Sequence, residues 1–174
     1  MRREKLIVVN TREPNDFELG QMVGHLIRVS QQVHASLWSS AFGMNGLTSP
    51  QFAVLHALAH EDGLDQTTLG ERSSLDRTTV AQIVTRLARH GFVVRERDEL
   101  DGRRNVVNLT SAGRSAYTKA SHEAYAINEK LLERISQDDR MVLVRVLSEI
   151  IGSDRYPVAV GNGPAGQGDG ARTD

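Results

Sequence analysis

Apolar residues recur at three- and four-residue steps along much of the chain, a spacing that predicts amphipathic helices. The first helix is predicted over residues 16 to about 42. A second should begin at residues 48–50, where a hydroxyl cap is followed by proline in the first turn, and should end near residues 62–63. A short third helix is expected from Asp65. The N-terminal part of the chain is therefore predicted to be helical.

In the middle of the chain the spacing of apolar residues changes from the helical period to a period of two. A fourth, strongly periodic helix is expected after a cap at Ser74 or Asp76, across a tight turn from the third helix, and should end at residues 90–91. Residues 92–97 and 105–109 then alternate on either side of a polar turn. This pattern predicts a β-hairpin.

Two more helices are predicted after the hairpin, from residue 110 through 135 and from residue 136 through 151. A helix-turn-helix followed directly by a hairpin is a winged helix. The predicted fold class is therefore mainly α (α+β), a winged helix-turn-helix with long N- and C-terminal helices. The apolar stripes of those long helices exceed what a small winged-helix centre can cover, which favours a homodimer.

Four segments of the chain resemble the MarR (multiple antibiotic resistance regulator) family of transcription factors. They are residues 69–72, residues 75–93, residues 101–104, and Leu109-Thr110 with Gly113. The resemblance covers about residues 16–152. It implies an intertwined homodimer, built from the first helix and the last two, that binds double-stranded DNA as a transcriptional regulator. The usual arrangement in such a family is repression relieved by a ligand.

The resemblance and the composition divide the chain into three parts. Residues 1–15 are expected to form a flexible arm, and residues 16–152 a single MarR-type domain. The domain would contain a winged helix at about residues 48–110, with dimerisation helices at about residues 16–43 and 110–152. From residue 152 onwards the chain holds six glycines and two prolines with little to bury, so residues 153–174 are expected to be a disordered, Gly-rich tail.

Composition and charge narrow the function classes. The 174 residues include no cysteine, which removes disulfides, thiolate metal sites and cysteine nucleophiles. Because no apolar run is long enough for a membrane span, a cytoplasmic protein without a membrane partner is expected. The net charge of −1 hides a local excess, since residues 72–104 contain eight arginines and five acidic residues. Arginine pairs bidentately with phosphate or guanine, so the use of arginine for every one of these cations weakly favours nucleic-acid recognition, although composition by itself favours the alternative, a solvated charged face.

The fourth helix carries most of the predicted DNA contacts. At 100° per residue Val80, Val84 and Leu87 face the core, and hydroxyl, amide and guanidinium side chains lie on the opposite face. These groups match the base edges of a major groove, although a solvated helix face is the alternative. Alignment to the family's recognition helix implies Thr78, Thr79 and Gln82 near the bases. Arg77 and Arg86 would bind phosphates or orient the helix, and further contacts are expected at Ser74 and Thr85.

The tip of the hairpin supplies a second set of predicted contacts. Asp101 and Arg103 resemble the family's wing Asp-x-Arg, in which the arginine enters the minor groove and the aspartate steadies it. Many members have a basic residue where this chain has Gly102, which makes the tip more flexible. Arg104 is also predicted to contact DNA. A two-fold dimer would read a pseudo-palindromic operator with half-sites about 10 bp apart.

The first helix carries a candidate effector site. His25, Arg28, His34 and Trp38 lie close together in sequence. Arginine could pair with a carboxylate while an imidazole meets a ring hydroxyl, so a small phenolic or hydroxynicotinate-like acid is the predicted ligand. The resemblance supports this, because members that control aromatic catabolism use a first-helix arginine and histidine. The alternative is an interface ion pair at Arg28 and a partly buried histidine at His34.

The sequence also offers weaker indications of other functions. His56 and His60 have the spacing of a two-histidine metal site, and a metal-responsive regulator could add Glu61 or Asp62 as ligands, but two histidines on one helix more often bind no metal. No resident cofactor is expected. An enzyme is not expected either, because phosphate-binding glycine loops and nucleophile elbows are missing from the sequence. A winged-helix module that binds only proteins remains a further alternative.

Overall fold

The structure is a computed structural model that describes residues 18–43, 46–98, 102 and 104–152. The predicted arm and tail, together with Asp101 and Arg103 of the wing, lie outside the described residues. The chain divides into two compact units between Arg134 and Ile135. No helix in the described ranges is long and apolar enough to cross a membrane.

The elements confirm a mainly helical fold with one small sheet. In chain order they are a 3-10 turn (Leu19–Gln21), α1 (Val23–Phe42), α2 (Ser49–His60), α3 (Gln66–Ser73), α4 (Arg77–Arg89), β1 (Val93–Arg97), β2 (Asn105–Leu109), α5 (Ser111–Leu131) and α6 (Gln137–Ile151). The first unit contains every element through α5, and the second contains α6.

Two helix bounds differ from the prediction by four residues or more. The first helix was expected from residue 16, but α1 begins at Val23, because Met22 is extended and separates it from the 3-10 turn. The glycines at positions 20 and 24 weaken helix formation on both sides of this break. The fifth helix was expected to reach residue 135, but it ends at Leu131. Ser136 must be extended to cap α6, where its hydroxyl accepts from the Asp139 N–H at 3.2 Å, so the preceding helix closes earlier.

The core lies among α2, α3, α4 and the sheet. The most completely buried side chains are Val54, Leu55, Leu58, Leu69, Val80, Val84, Leu87 and Val107. Val80, Val84 and Leu87 have the helical spacing that predicted an inward face of α4, and they confirm it. The opposite face of α4 is therefore turned away from the core.

The helix caps explain why α3 and α4 meet at a tight turn. Asp65 caps α3 by accepting from the N–H groups of Thr67 and Thr68. Of the two caps considered for α4, the structure selects Asp76, whose carboxylate accepts from the Thr79 N–H at 2.9 Å. Ser74 instead adopts the left-handed conformation, with φ of 52°, and ends α3.

The hairpin is antiparallel, with Val93 opposite Leu109 and Arg97 opposite Asn105. An isolated bridge between Leu64 and Val107 attaches the segment before α3 to β2. Asn108 strengthens this attachment, because its side-chain oxygen accepts from the Gly63 N–H at 2.6 Å. The wing is thus fixed to the helix-turn-helix by backbone and side-chain bonds.

The start of α5 packs directly on the turn between α4 and β1. The Thr110 hydroxyl donates to the Gly91 carbonyl at 2.6 Å, and the Thr110 N–H donates to the Phe92 carbonyl at 3.1 Å. Gly113 lies so close to Phe92 that an added Cβ would overlap the Phe92 carbonyl oxygen. Thr110 and Gly113 therefore hold the long α5 against the winged helix.

Candidate nucleic-acid interface

An open groove of about 1030 Å³ runs along the exposed face of α4. Its lining residues are Gln66, Arg77, Thr78, Ala81, Gln82, Thr85, Arg86, Arg89 and His90. Three of them are arginines and none is acidic. The groove brings together five residues predicted from the sequence, Arg77, Thr78, Gln82, Thr85 and Arg86. Its surface offers guanidinium, amide and hydroxyl groups, which are the partners that phosphates and base edges require.

Three predicted contacts have other roles in this structure. Thr79 is half-buried, and its hydroxyl donates to Asp76 at 2.5 Å as part of the α4 cap. That hydrogen bond, together with the Thr79 backbone N–H, lowers the pKa of Asp76. The Thr85 hydroxyl donates to the Ala81 carbonyl at 2.8 Å. Ser74 is exposed in the turn before α4 and is not among the groove residues. Of the predicted base contacts, Thr78 and Gln82 are thus the ones whose side chains are exposed in the groove.

Arg95 is a residue near the groove that the sequence analysis missed. It lies on β1, and its Nη2 donates to the Thr85 hydroxyl oxygen at 2.6 Å. The Thr85 hydroxyl therefore donates to the Ala81 carbonyl and accepts from the Arg95 guanidinium. The contact links the wing strand to α4 and adds a guanidinium beside the groove. The period-two pattern places Arg95 on a strand but carries no information on which helix it meets.

Arg104 joins the base of the wing to α3. Its guanidinium lies 2.5 Å from the Asp65 carboxylate and 3.9 Å from that of Asp98. The α3 N–H of Thr68, and next the Arg104 side chain, lower the pKa of Asp65. Farther out, the Arg97 side chain donates to the Gly102 carbonyl at 2.8 Å. These contacts position the wing whose tip residues, Asp101 and Arg103, lie outside the described part of the chain.

The four candidate effector residues of α1 form two pairs. The Arg28 guanidinium lies 3.3 Å from the His25 Nδ1 atom at the exposed surface. The rings of His34 and Trp38 are 5.7 Å apart. Arg28 and His34 are six residues apart, which separates them by about 9 Å along the helix and about 120° around it. A ligand that reaches both must therefore carry polar groups at its two ends.

Trp38 is the anchor of α1 rather than an open binding surface. It is the only residue of α1 that is buried, with 8% of its surface exposed. Its indole N–H donates to the Leu47 carbonyl at 2.7 Å. The ring stacks on Phe42 at 4.7 Å and contacts Phe52 of α2 at 5.6 Å. Trp38 thus ties α1 to the winged helix, beside His34.

His56 and His60 face Tyr117 of α5. The two imidazoles are 4.3 Å apart, and the His56 Nδ1 atom is 3.0 Å from the Tyr117 hydroxyl. The His60 Nδ1 atom bonds the His56 carbonyl at 2.8 Å. Burial, and next the neighbouring His60, lower the pKa of His56. Among the described residues no group of three or more histidine, cysteine, aspartate or glutamate side chains could hold a metal ion. These histidines contact each other, Tyr117 and the backbone, and His56 also contacts the Phe52 ring.

Comparison with known proteins identifies the family. Residues 45–104 match the MarR family. The chain is 30% identical over 127 residues to the transcriptional regulator HosA of Escherichia coli O157:H7, which covers 73% of this chain and 93% of HosA. The chain belongs to the MarR family. It is a DNA-binding transcriptional regulator with the winged helix predicted from its sequence.

Two further relatives of this MarR-family chain bear on its regulation. It is 38% identical to the PcaV regulator of Streptomyces coelicolor, solved with its natural ligand, with a TM-score of 0.73, over 78% of this chain and 95% of PcaV. It is also 28% identical over 138 residues to the repressor NicR of Pseudomonas putida, covering 79% of this chain and 87% of NicR. Because the chain belongs to a family of DNA-binding regulators, the groove along α4 is the candidate DNA interface.

Proposed function

We propose that the chain is a homodimeric repressor that binds a pseudo-palindromic operator and is released by a small aromatic carboxylate. The observation that carries the DNA part is the groove along α4, in which Arg77, Arg86 and Arg89 accompany the amide of Gln82 without an acidic neighbour in the lining. Gln82 and Thr78 read base edges, and the arginines bind phosphates. Arg103 enters the minor groove from the wing. Repression is supported by the likeness to NicR, which is named a repressor.

Exposed apolar residues support the dimer. In the first unit they lie on the 3-10 turn and α1, at Leu19, Met22, Val23, Leu26, Ile27 and Val33. In the second unit they lie on α6, at Met141, Val142, Val144, Val146, Leu147, Ile150 and Ile151. Single exposed apolar side chains are ordinary, but runs of them along one helix mark an association surface. A second copy of the chain covers these surfaces through a two-fold axis, and the two α4 helices then read half-sites about 10 bp apart.

The effector proposal rests on the chemistry of α1. The Arg28 guanidinium is exposed, and in the described part of the chain its hydrogen bond is to the His25 ring rather than to a carboxylate. It can therefore form a charge-assisted pair with a ligand carboxylate. His34, beside the Trp38 ring, would meet a hydroxyl at the far end of the same ligand. PcaV, which shares the fold, has been solved with its natural ligand.

The decisive experiment measures operator release. A fluorescent duplex from the region upstream of the gene is bound by the protein and titrated with hydroxybenzoates, dihydroxybenzoates and hydroxynicotinates. One of them should lower the anisotropy. Trp38 is the single tryptophan, so its fluorescence reports ligand binding near His34 directly. A wild-type protein that does not bind the duplex would contradict the regulator proposed here; binding without release by any acid would contradict only the effector.

Two variants locate the effector. Arg28→Ala should bind the operator normally but require at least tenfold more acid for release, since the carboxylate loses its charged partner. His34→Ala should show a smaller effect, because it removes one ring contact. Arg145→Ala on α6, whose guanidinium pairs with Glu149 at 2.8 Å, is the control for loss of an exposed arginine. Release of the Arg28→Ala complex at the wild-type concentration would place the ligand elsewhere.

A further inference from the structure

The groove along α4 continues to the C-terminal end of the helix, where neither the sequence nor the relatives assign a contact. Arg89 is the last residue of α4 and His90 is its cap. Both side chains are exposed, and both line the groove together with Arg86. At this end of α4 the groove lining therefore includes one cationic side chain, Arg89, and one that can become cationic, His90, in addition to the residues proposed to read bases.

The length of α4 places this end over a DNA strand. Thr78 and Arg89 are eleven residues apart, so they lie about 16.5 Å apart along the axis and within about 20° of the same face. The major groove is about 12 Å wide. A helix whose Thr78 and Gln82 reach base edges on one side of the groove consequently carries Arg89 and His90 to the phosphates on the other side.

The C-terminal end of a helix normally repels phosphate, because its free carbonyls carry a partial negative charge. Here Arg86, Arg89 and a protonated His90 would reverse that sign. The imidazole is held in place, since its ring stacks on Phe92 with centroids 5.9 Å apart and planes 24° apart. The Thr110 hydroxyl bonds the next carbonyl, that of Gly91, and fixes the turn.

We propose that Arg89 and His90 bind backbone phosphates of each half-site and that His90 does so as the imidazolium ion, taking up one proton per protomer. The inference rests on the proposed binding of DNA by α4. Histidine is the side-chain type that ordinarily changes charge between pH 5 and 8, and a phosphate favours its charged form. The operator complex is therefore tighter and more sensitive to salt at lower pH.

The described groups around His90 include no anion, so a DNA phosphate is the anion that would pair with it. Arg86 and Arg89 on α4 are cations that oppose a further positive charge. Gln66 of α3, which shares the groove, and the contacts from Phe92 and Thr110 are uncharged. None of the described residues that line this groove is a carboxylate, so protonation is coupled to DNA binding rather than to an ion pair among them.

The test measures duplex affinity at pH 6.0 and 8.0 over a range of salt concentrations, with full-length protein and the same fluorescent duplex. Wild type should bind more tightly at pH 6.0 by roughly tenfold for each protomer that contacts the duplex, the scale of one charge-assisted contact per half-site. The slope of log affinity against log salt should be steeper at pH 6.0 by about 0.9 for each protomer, because each added phosphate contact releases counterions.

His90→Gln keeps a neutral donor and should bind with the same affinity and slope at both pH values. Arg89→Gln should flatten the salt slope at both pH values. His122→Gln, which alters an exposed histidine on α5 away from the groove, should behave as wild type. Equal affinity of wild type at both pH values, or a pH dependence that survives in His90→Gln, would overturn the inference while leaving DNA binding by α4 intact. Absence of duplex binding at any pH would overturn the proposed function itself.

Discussion

Replacing Gly113 by alanine should be among the most damaging single-methyl changes in the described part of the chain. The new Cβ would overlap the carbonyl oxygen of Phe92 and lie 2.8 Å from its carbonyl carbon. Because a Cβ atom does not approach a carbonyl oxygen closer than about 3 Å, and the oxygen is the nearer of the two atoms, α5 must move away by more than about 1 Å. That movement stretches the Thr110 contacts to Gly91 and Phe92 described above.

The cost of Gly113→Ala can be estimated from these contacts. Overpacking a rigid site costs about 1–3 kcal/mol, and each weakened hydrogen bond adds about 1 kcal/mol. We expect the free energy of unfolding to fall by about 2–5 kcal/mol. The assay is urea unfolding followed by circular dichroism, at one fixed protein concentration because association shifts the apparent stability.

Gly102→Ala is the matched control for this prediction. No described residue lies within 4 Å of a Cβ built at Gly102, and Gly102 is not among the described glycines with a positive φ angle. Its urea midpoint should equal that of wild type. If Gly113→Ala also unfolds at the wild-type midpoint, α5 does not pack on Phe92 as described, and the role assigned to the Thr110 and Gly113 pair is wrong.

Three further predictions concern the DNA interface and its support. Gln82→Ala should cost about 1–3 kcal/mol at one base pair of each half-site in a competition assay with operator variants; an equal loss on every variant would make Gln82 a phosphate contact. Arg103→Ala should weaken duplex binding while the melting temperature stays unchanged, whereas unchanged affinity at moderate salt would refute the wing contact. Asp65→Asn removes the charge that pairs with Arg104 and should cost no more than about 1 kcal/mol near pH 7. Because the pKa of Asp65 is lowered in the folded state, this difference should persist above the unfolded value of about 3.9 and vanish as pH falls through the folded one; a difference that persists at pH 2 would contradict the ion pair.

The sequence predicts local features of this chain well. The spacing of Val80, Val84 and Leu87 determines the outward face of α4, and with it the positions of Thr78 and Gln82, because a helix places its side chains at regular angles. The same holds for the cap of α2, where Thr48 and Gln51 each bond the other's backbone N–H. Both features depend on residues within a few positions of each other.

Features that join distant segments could not be predicted in this way. The bond from Arg95 to Thr85 and the ion pair of Arg104 with Asp65 depend on how the wing lies against the helices. Neither residue type nor period encodes that geometry. The two pairs formed by the α1 candidates are a further example, because residues that are close in sequence need not share a helix face: Arg28 and His34 lie on different faces of α1.

The buried Trp38 fixes the C-terminal part of α1 to the winged helix. The indole donates to the Leu47 carbonyl on one side and contacts Phe52 on the other, while the exposed apolar residues Val23, Leu26 and Ile27 lie about three to four turns away, at the N-terminal end of α1. The helix also packs against α5. A small rotation of α1 near Trp38 produces a displacement at the N-terminal end that grows with the distance between the two. From Trp38 to Val23 this distance is about 22 Å. A side-chain rearrangement around His34 can therefore change how two copies of the chain meet, and with it the distance between their α4 helices.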